Sequence, residues 1–120
     1  MNITTANSKI VFELFNMQSS DKIGRKIWLF ISSVGCCPCN CMEKDLSSMS
    51  NYTIRHPIYH VEISKIGPDE ERLLKFCNAG QFPFLCFIEN GTVKRRWAGY
   101  FVDEEESFRI EQLKSILSSE

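Results

Sequence analysis

Four of the six cysteines in the chain fall within six consecutive positions, in the run Gly35-Cys36-Cys37-Pro38-Cys39-Asn40-Cys41. The residues on either side decide what that run can belong to. Before it, Ile27-Trp28-Leu29-Phe30-Ile31 is apolar without alternation. Such a stretch suits a strand covered on both faces, and strands of that kind occur mostly in parallel or mixed sheets flanked by helices. After it, Met42, Leu46 and Met49 recur with Cys39 at intervals of three and four, the buried stripe of a helix that starts near Cys36 or Cys37. Pro38 fits the first turn of that helix, where its missing N–H costs nothing. A central strand over residues 27–32 that feeds a helix through clustered thiols is a redox or metal-site arrangement.

The rest of the chain must supply a sheet and its covering helices. Residues 8–19 carry Val11, Leu14 and Phe15 at helical spacing with Ser8 as a cap, which predicts an amphipathic helix after a short extension at residues 3–5. Ser19-Ser20-Asp21-Lys22 closes it. Tyr59, Val61 and Ile63 alternate with His60 and Glu62, a strand from about Pro57 that Gly67-Pro68 stops. Pro68-Asp69-Glu70-Glu71 opens a helix, acidic at its positive end, which turns Leu73, Leu74 and Cys77 inward and ends at Gly80. Residues 82–89 and 92–98 read as an antiparallel pair joined by Asn90-Gly91. Asp103 and Glu106 have capping-box spacing before a last helix whose apolar face is Phe108, Ile110, Leu113 and Leu117. The order is helix, strand, helix, strand, helix, strand, strand, helix.

A chain of 120 residues, 43% apolar and 24% charged, fits a single domain over residues 1–120 with one real core. A formal charge of −1 and a pI near 6.1 argue against a nucleic-acid footprint, and Lys94-Arg95-Arg96 reads as a solvated strand face. No apolar run approaches membrane-spanning length, and the polar start at residues 1–5 lacks the pattern of a secretory signal. A cytoplasmic location is therefore expected, where clustered thiols tend to be catalytic or metal-binding. A signal trimmed from the chain would reverse that expectation to an extracytoplasmic one.

Cys36 and Cys39 are three apart at a helix start, so their side chains share a face and can close a disulfide. The unpaired N–H groups and positive dipole end there stabilise a thiolate on Cys36, the natural nucleophile. Cys39, one turn in and on the stripe of Met42, is the less exposed thiol, as suits one that attacks a mixed disulfide from behind. Cys37 and Cys41 are four apart on another side of the helix. They read either as a second redox couple, slightly too far apart for a relaxed disulfide, or as exposed spectators. Cys77 and Cys86 fall on inward faces and read as small buried hydrophobes.

Gly35-Cys36-Cys37-Pro38-Cys39 resembles the Trp-Cys-Gly-Pro-Cys site of the thioredoxin family. Phe82-Pro83 stands where that family carries a cis proline, followed by residues 84–89, the Asn90-Gly91 turn and Gly99, so the resemblance spans roughly residues 10–117. It implies an α/β, thioredoxin-like fold, with a central mixed sheet of four to five strands flanked by helices on both faces. It implies that Cys36 attacks a substrate disulfide, that Cys39 releases the reduced product, and that Pro83 packs beside them. The Phe82 backbone is then free to pair with an extended substrate strand, with Phe82 and Phe84 flanking an apolar docking groove or, in the plainer reading of Phe84, simply packing in the core. Gly35, Cys37 and Pro38 complete the support of the site. Gly35 replaces the motif tryptophan and Cys37 the motif glycine, and Phe30 takes the place of a buried aspartate that handles the proton of the resolving thiol. His60 falls where the family often has a lysine, and it reads either as an ordinary strand histidine or as an imidazole that serves as proton acceptor near neutral pH.

The function expected on this resemblance is thiol-disulfide exchange with protein disulfides, within cell redox homeostasis. It needs no cofactor and no metal, only a reductase or thiol partner to exchange electrons with, and the chain is expected to act as a monomer. Two other classes compete. A metal or cluster carrier would use Cys36, Cys37, Cys39 and Cys41, although one helix turn cannot point all four at one ion. A non-catalytic docking module is encouraged by the lost tryptophan and acid, but has no physical need for two motif cysteines beside Pro83.

Overall fold

The computed structural model describes residues 1, 3–15 and 26–120. Its elements are β1 (Ile3–Ala6), α1 (Ser8–Phe15), β2 (Lys26–Ser33), α2 (Cys37–Ser48), β3 (Ile58–Ile63), α3 (Pro68–Cys77), β4 (Phe84–Glu89), β5 (Thr92–Ala98) and α4 (Glu106–Ser118). The five strands form one mixed sheet in the order β1-β3-β2-β4-β5. β1 and β2 each run parallel to β3, whereas β4 is antiparallel to both β2 and β5. The proposed end of the first helix, at residues 16–22, lies outside the described residues, as does the side chain of Phe15.

The unbroken apolar character of β2 follows from its place in the middle of the sheet. Ile27, Leu29 and Ile31 point into one core with Val11, Val61, Leu73 and Cys86. Trp28 and Phe30 point into the other with Met42, Leu46, Ile58, Phe87, Leu113 and Leu117. A helix layer therefore covers each face, α1 and α3 on one and α2 and α4 on the other. Trp28 sits 4.9 Å from Phe87 and 5.6 Å from Trp97 between ring centroids, an aromatic cluster of the kind that dominates core energetics. The Asn90-Gly91 turn has positive φ at both residues, 53° and 77°, the geometry that a two-residue hairpin matched to strand twist requires.

Five local expectations change. Ser8 is the first residue of α1 and its buried hydroxyl has no partner among the described residues; the cap is Asn7, whose Oδ1 accepts from the Ile10 N–H at 2.9 Å. The polar extension at residues 3–5 becomes the edge strand β1, held by parallel pairing to β3. α3 ends on Asn78, which takes the left-handed conformation at φ 54°, rather than on Gly80; a short polar side chain tolerates that region. Asp103 does not cap α4, whose N-cap is Glu105 without a side-chain bond. Phe108 is 45% exposed and meets Phe101 edge-on at 6.3 Å between ring centroids, and the buried residues of α4 are Leu113 and Leu117. The basic run in β5 is exposed, as expected of a solvated face, and two of its members also make specific contacts. Arg95 pairs with Glu120 at 2.7 Å, and Arg96 donates to the Cys77 carbonyl.

Candidate active site

β2 leaves the sheet at Ser33, and the chain turns through Val34 and Gly35 into α2. Gly35 makes this turn at φ 79°, a conformation that side chains disfavour. Cys36 follows as the N-cap of α2, in an extended conformation, with Pro38 in the first helical turn. The Asn40 N–H donates to the Cys36 carbonyl at 3.1 Å and the Cys39 N–H donates to Cys36 Sγ at 3.2 Å. The cysteine thus caps its own helix through its sulfur. Cys36 and Cys39 are joined as a disulfide with Cα atoms 5.2 Å apart.

The two sulfurs are not equivalent. Cys36 is partly exposed, while Cys39 is 1% exposed on the underside of α2, where Met42 and Leu46 continue its stripe. Cys37 is exposed and Cys41 half-buried, both unpaired. Among the described residues no group of three or more His, Cys, Asp and Glu side chains is disposed to hold a metal ion.

Pro83 reaches this end of the sheet through strand register. In the antiparallel β2–β4 ladder Phe84 lies opposite Ile31, so the residue before it stands beside the end of β2 from which the Cys36 turn emerges. The Phe82–Pro83 bond is cis, Pro83 is buried and Phe82 half-buried, and the Gly99 N–H donates to the Pro83 carbonyl at 2.8 Å. Phe84 is 2% exposed and packs in the α1/α3 core. Of the two aromatics expected at a groove, only Phe82 keeps exposed surface.

His60 lies beneath α2. It pairs across the parallel ladder with Phe30 and stacks on that ring at 4.4 Å and 10°. Its Nε2 shares a 2.7 Å hydrogen bond with Ser32 Oγ. Alternation along β3 suggested that His60 faces away from the Tyr59, Val61 and Ile63 face, and it does. That second face is itself covered, so the imidazole is only 8% exposed. Burial lowers its pKa from 6.5, offset in part by Glu43 and Glu62. Glu43 stands one turn beyond Cys39 on α2, so part of the field at His60 comes from the stretch of helix that carries the buried thiol and part from Glu62 on its own strand. A neutral imidazole at neutral pH follows.

α2 is fixed in place by residues that the sequence did not single out. Asp45, buried on the helix, accepts from Arg109 Nε at 2.8 Å and from Arg109 Nη2 at 3.2 Å, and it accepts the Tyr100 hydroxyl. Burial alone would raise the Asp45 pKa, but the bonds from Arg109 and Tyr100 outweigh it and hold the carboxyl below 3.8. Burial and the Asp45 carboxylate in turn push the Tyr100 hydroxyl well above its ordinary range. The only sequence hint was an aspartate directly beside the apolar stripe of a helix; its partner is 64 residues away.

No protein-family profile and no curated protein matches the sequence. Solved structures do. Thioredoxin O2 from Arabidopsis thaliana, in its oxidised state, superposes with a TM-score of 0.69 at 16% identity, covering 98% of this chain and 92% of that one. Thioredoxin f2 from Chlamydomonas reinhardtii gives 0.69 at 11% identity, covering 98% and 95%. Fasciola hepatica thioredoxin gives 0.66 at 16%, covering 99% and 98%. The chain has the thioredoxin fold over nearly its whole length.

Proposed function

We propose that this thioredoxin-fold chain is a thiol-disulfide oxidoreductase that exchanges the Cys36/Cys39 dithiol with disulfides in other proteins. The observation that carries the reading is the asymmetry of the pair. One sulfur is accessible and bonded by a helix N-terminal N–H, and the other is buried one turn behind it within bonding distance of the first. In the reduced protein the Cys39 N–H and the helix dipole favour the thiolate of Cys36. That thiolate attacks one sulfur of a substrate disulfide, forms a mixed disulfide and expels the second substrate sulfur as a thiolate, which takes a proton from water. Cys39 then loses its proton to the neutral His60 and attacks Cys36 Sγ. This expels the other substrate sulfur as a thiolate, which takes the proton back from the His60 imidazolium, so the substrate leaves as a dithiol and the Cys36–Cys39 disulfide remains with the two electrons transferred. A thiol or reductase partner returns the pair to the dithiol, and the same steps run backwards when the substrate is the better reductant.

The half-buried Phe82 offers its backbone to an extended substrate segment beside the disulfide. Gly35, in place of an aromatic, leaves the approach to Cys36 unobstructed. Reduction of insulin disulfides with dithiothreitol as electron donor tests the reading. The chain should accelerate it, and Cys36→Ser should return the rate to the uncatalysed level. Full activity in Cys36→Ser would overturn the assignment.

A further inference from the structure

The chemistry above uses two of the six cysteines. Cys77, the last residue of α3, and Cys86, in the middle of β4, are both 0% exposed and belong to the same core. Two contacts place them together. Arg96 stands opposite Cys86 in the β4–β5 ladder, and its Nε donates to the Cys77 carbonyl oxygen at 2.8 Å. The Cys77 thiol on its flank, together with burial, pushes the Cys86 thiol far above its ordinary range. The chain between them, residues 78–85, is the segment that carries the cis Phe82–Pro83 bond.

We propose that Cys77 and Cys86 form a second disulfide under oxidising conditions, one that covalently ties α3 to β4 and closes a ring around the Phe82–Pro83 segment. With hydrogen peroxide as oxidant, one thiol becomes a sulfenic acid with release of a water. The second thiol then displaces the hydroxyl from that sulfur as a second water, so two electrons pass from the sulfurs to the peroxide and the thiol protons leave in the waters. A buried, protonated thiol is a poor nucleophile, so this oxidation waits on local opening at the C-terminal end of α3. It is slower than closure of Cys36 with Cys39 and separable from it. The ring fixes both ends of the segment that faces the working disulfide, which makes its oxidation a slow covalent brace on that segment.

Trypsin leaves both cysteines in a single peptide, residues 76–94. The reduced full-length protein is exposed to hydrogen peroxide, and samples are unfolded and alkylated with iodoacetamide over time. The expected result is a 76–94 peptide that is lighter by two hydrogens, takes no alkyl group, and appears roughly tenfold or more slowly than Cys36–Cys39 closure. The protein carrying it should melt at a higher temperature than the protein oxidised at Cys36 and Cys39 alone. Both thiols still alkylated after an exposure on the order of a hundred times longer than Cys36–Cys39 closure takes overturns the proposal, as does oxygen addition or pairing with Cys37 or Cys41. A Cys36→Ser, Cys39→Ser protein should give the same peptide, so the outcome is independent of whether Cys36 attacks protein disulfides.

Discussion

Ser32→Ala removes one hydroxyl from a place where water cannot replace it. Ser32 and His60 are both buried, and the Oγ to Nε2 distance is 2.7 Å. Without the hydroxyl the imidazole nitrogen stays buried and unpaired, which costs about 1–3 kcal/mol. For a 120-residue chain an unfolding entropy near 2.1 cal/mol/K per residue makes 1 kcal/mol worth about 4 °C. The melting temperature should therefore fall by roughly 4–12 °C. His60→Phe keeps a ring against Phe30 but strands the Ser32 hydroxyl, and should fall within a similar range. The double variant removes both partners, so its loss should be smaller than the sum of the singles by about 1–2 kcal/mol. Thermal and urea unfolding of the four reduced proteins gives the cycle, and additive losses would refute the argument that the bond is a buried, mutually satisfied pair. The same variants separate packing from chemistry. Ser32→Ala keeps the imidazole, so the Cys39 step in single turnover should change only a few-fold, whereas His60→Phe should slow it by about 10²–10⁴ near neutral pH. Equal slowing in both would refute His60 as the proton acceptor and leave the stability argument standing.

Both histidines titrate below 6.5, His60 through burial and His56 through burial with Lys26 and Arg55 adding to it. In the window just under that value the unfolded chain binds protons that the folded chain does not. Unfolding free energy should thus rise with pH up to about 6.5 and level off above it; denaturant midpoints from pH 5 to 8 check this, and a fall across the lower part of that range would contradict it. Tyr100→Phe removes a donor from the buried Asp45 carboxylate and should cost about 1.5–3 kcal/mol. The carboxyl pKa should then move back towards 3.8. Stability held above that value is lost as pH falls through the folded pKa, so the acid-unfolding midpoint should move to higher pH, and an unmoved midpoint would count against the contact. Gly35→Ala meets no atom within 4 Å of its new Cβ but must hold φ 79°. It should cost only the backbone penalty, about 1–2 kcal/mol, and a loss well beyond that in urea unfolding would mean a steric role the site does not have.

The parts of the fold legible in the sequence are those whose signal is local. β2 announced itself by apolar side chains on both faces, the β4–β5 hairpin by Asn90-Gly91, and α2 by Pro38 and the stripe from Cys39 to Met49. β1 was read only as an extension because Ile-Thr-Thr-Ala is short and mostly polar; the edge of an existing sheet, not its own composition, makes it a strand. Asp103 and Glu106 carry the spacing of a cap, but the helix begins two residues too late to use it, and spacing alone cannot fix where a helix starts. Phe84 is ambiguous in sequence because an aromatic at the mouth of a groove and one in the core look alike; register against Ile31 places it inside. The thiol pair was readable from its position at a helix start. The Ser32–His60 bond and the Asp45–Arg109–Tyr100 cluster were not, because each joins residues brought together only by the packed sheet and helices. Cys77 and Cys86 were each recognisable as buried, while their contact depends on how α3 lies over β4.

The most direct test of the account is to trap its first intermediate. Reduced Cys39→Ser protein, which can attack but not resolve, is mixed with a disulfide-bonded protein such as insulin, and the covalent adduct is mapped by mass spectrometry. The account predicts a stable mixed disulfide on Cys36, and none when Cys36 is the residue replaced. An adduct that forms on Cys37 or Cys41 instead, or no adduct at all under conditions where free thiols react, would contradict it.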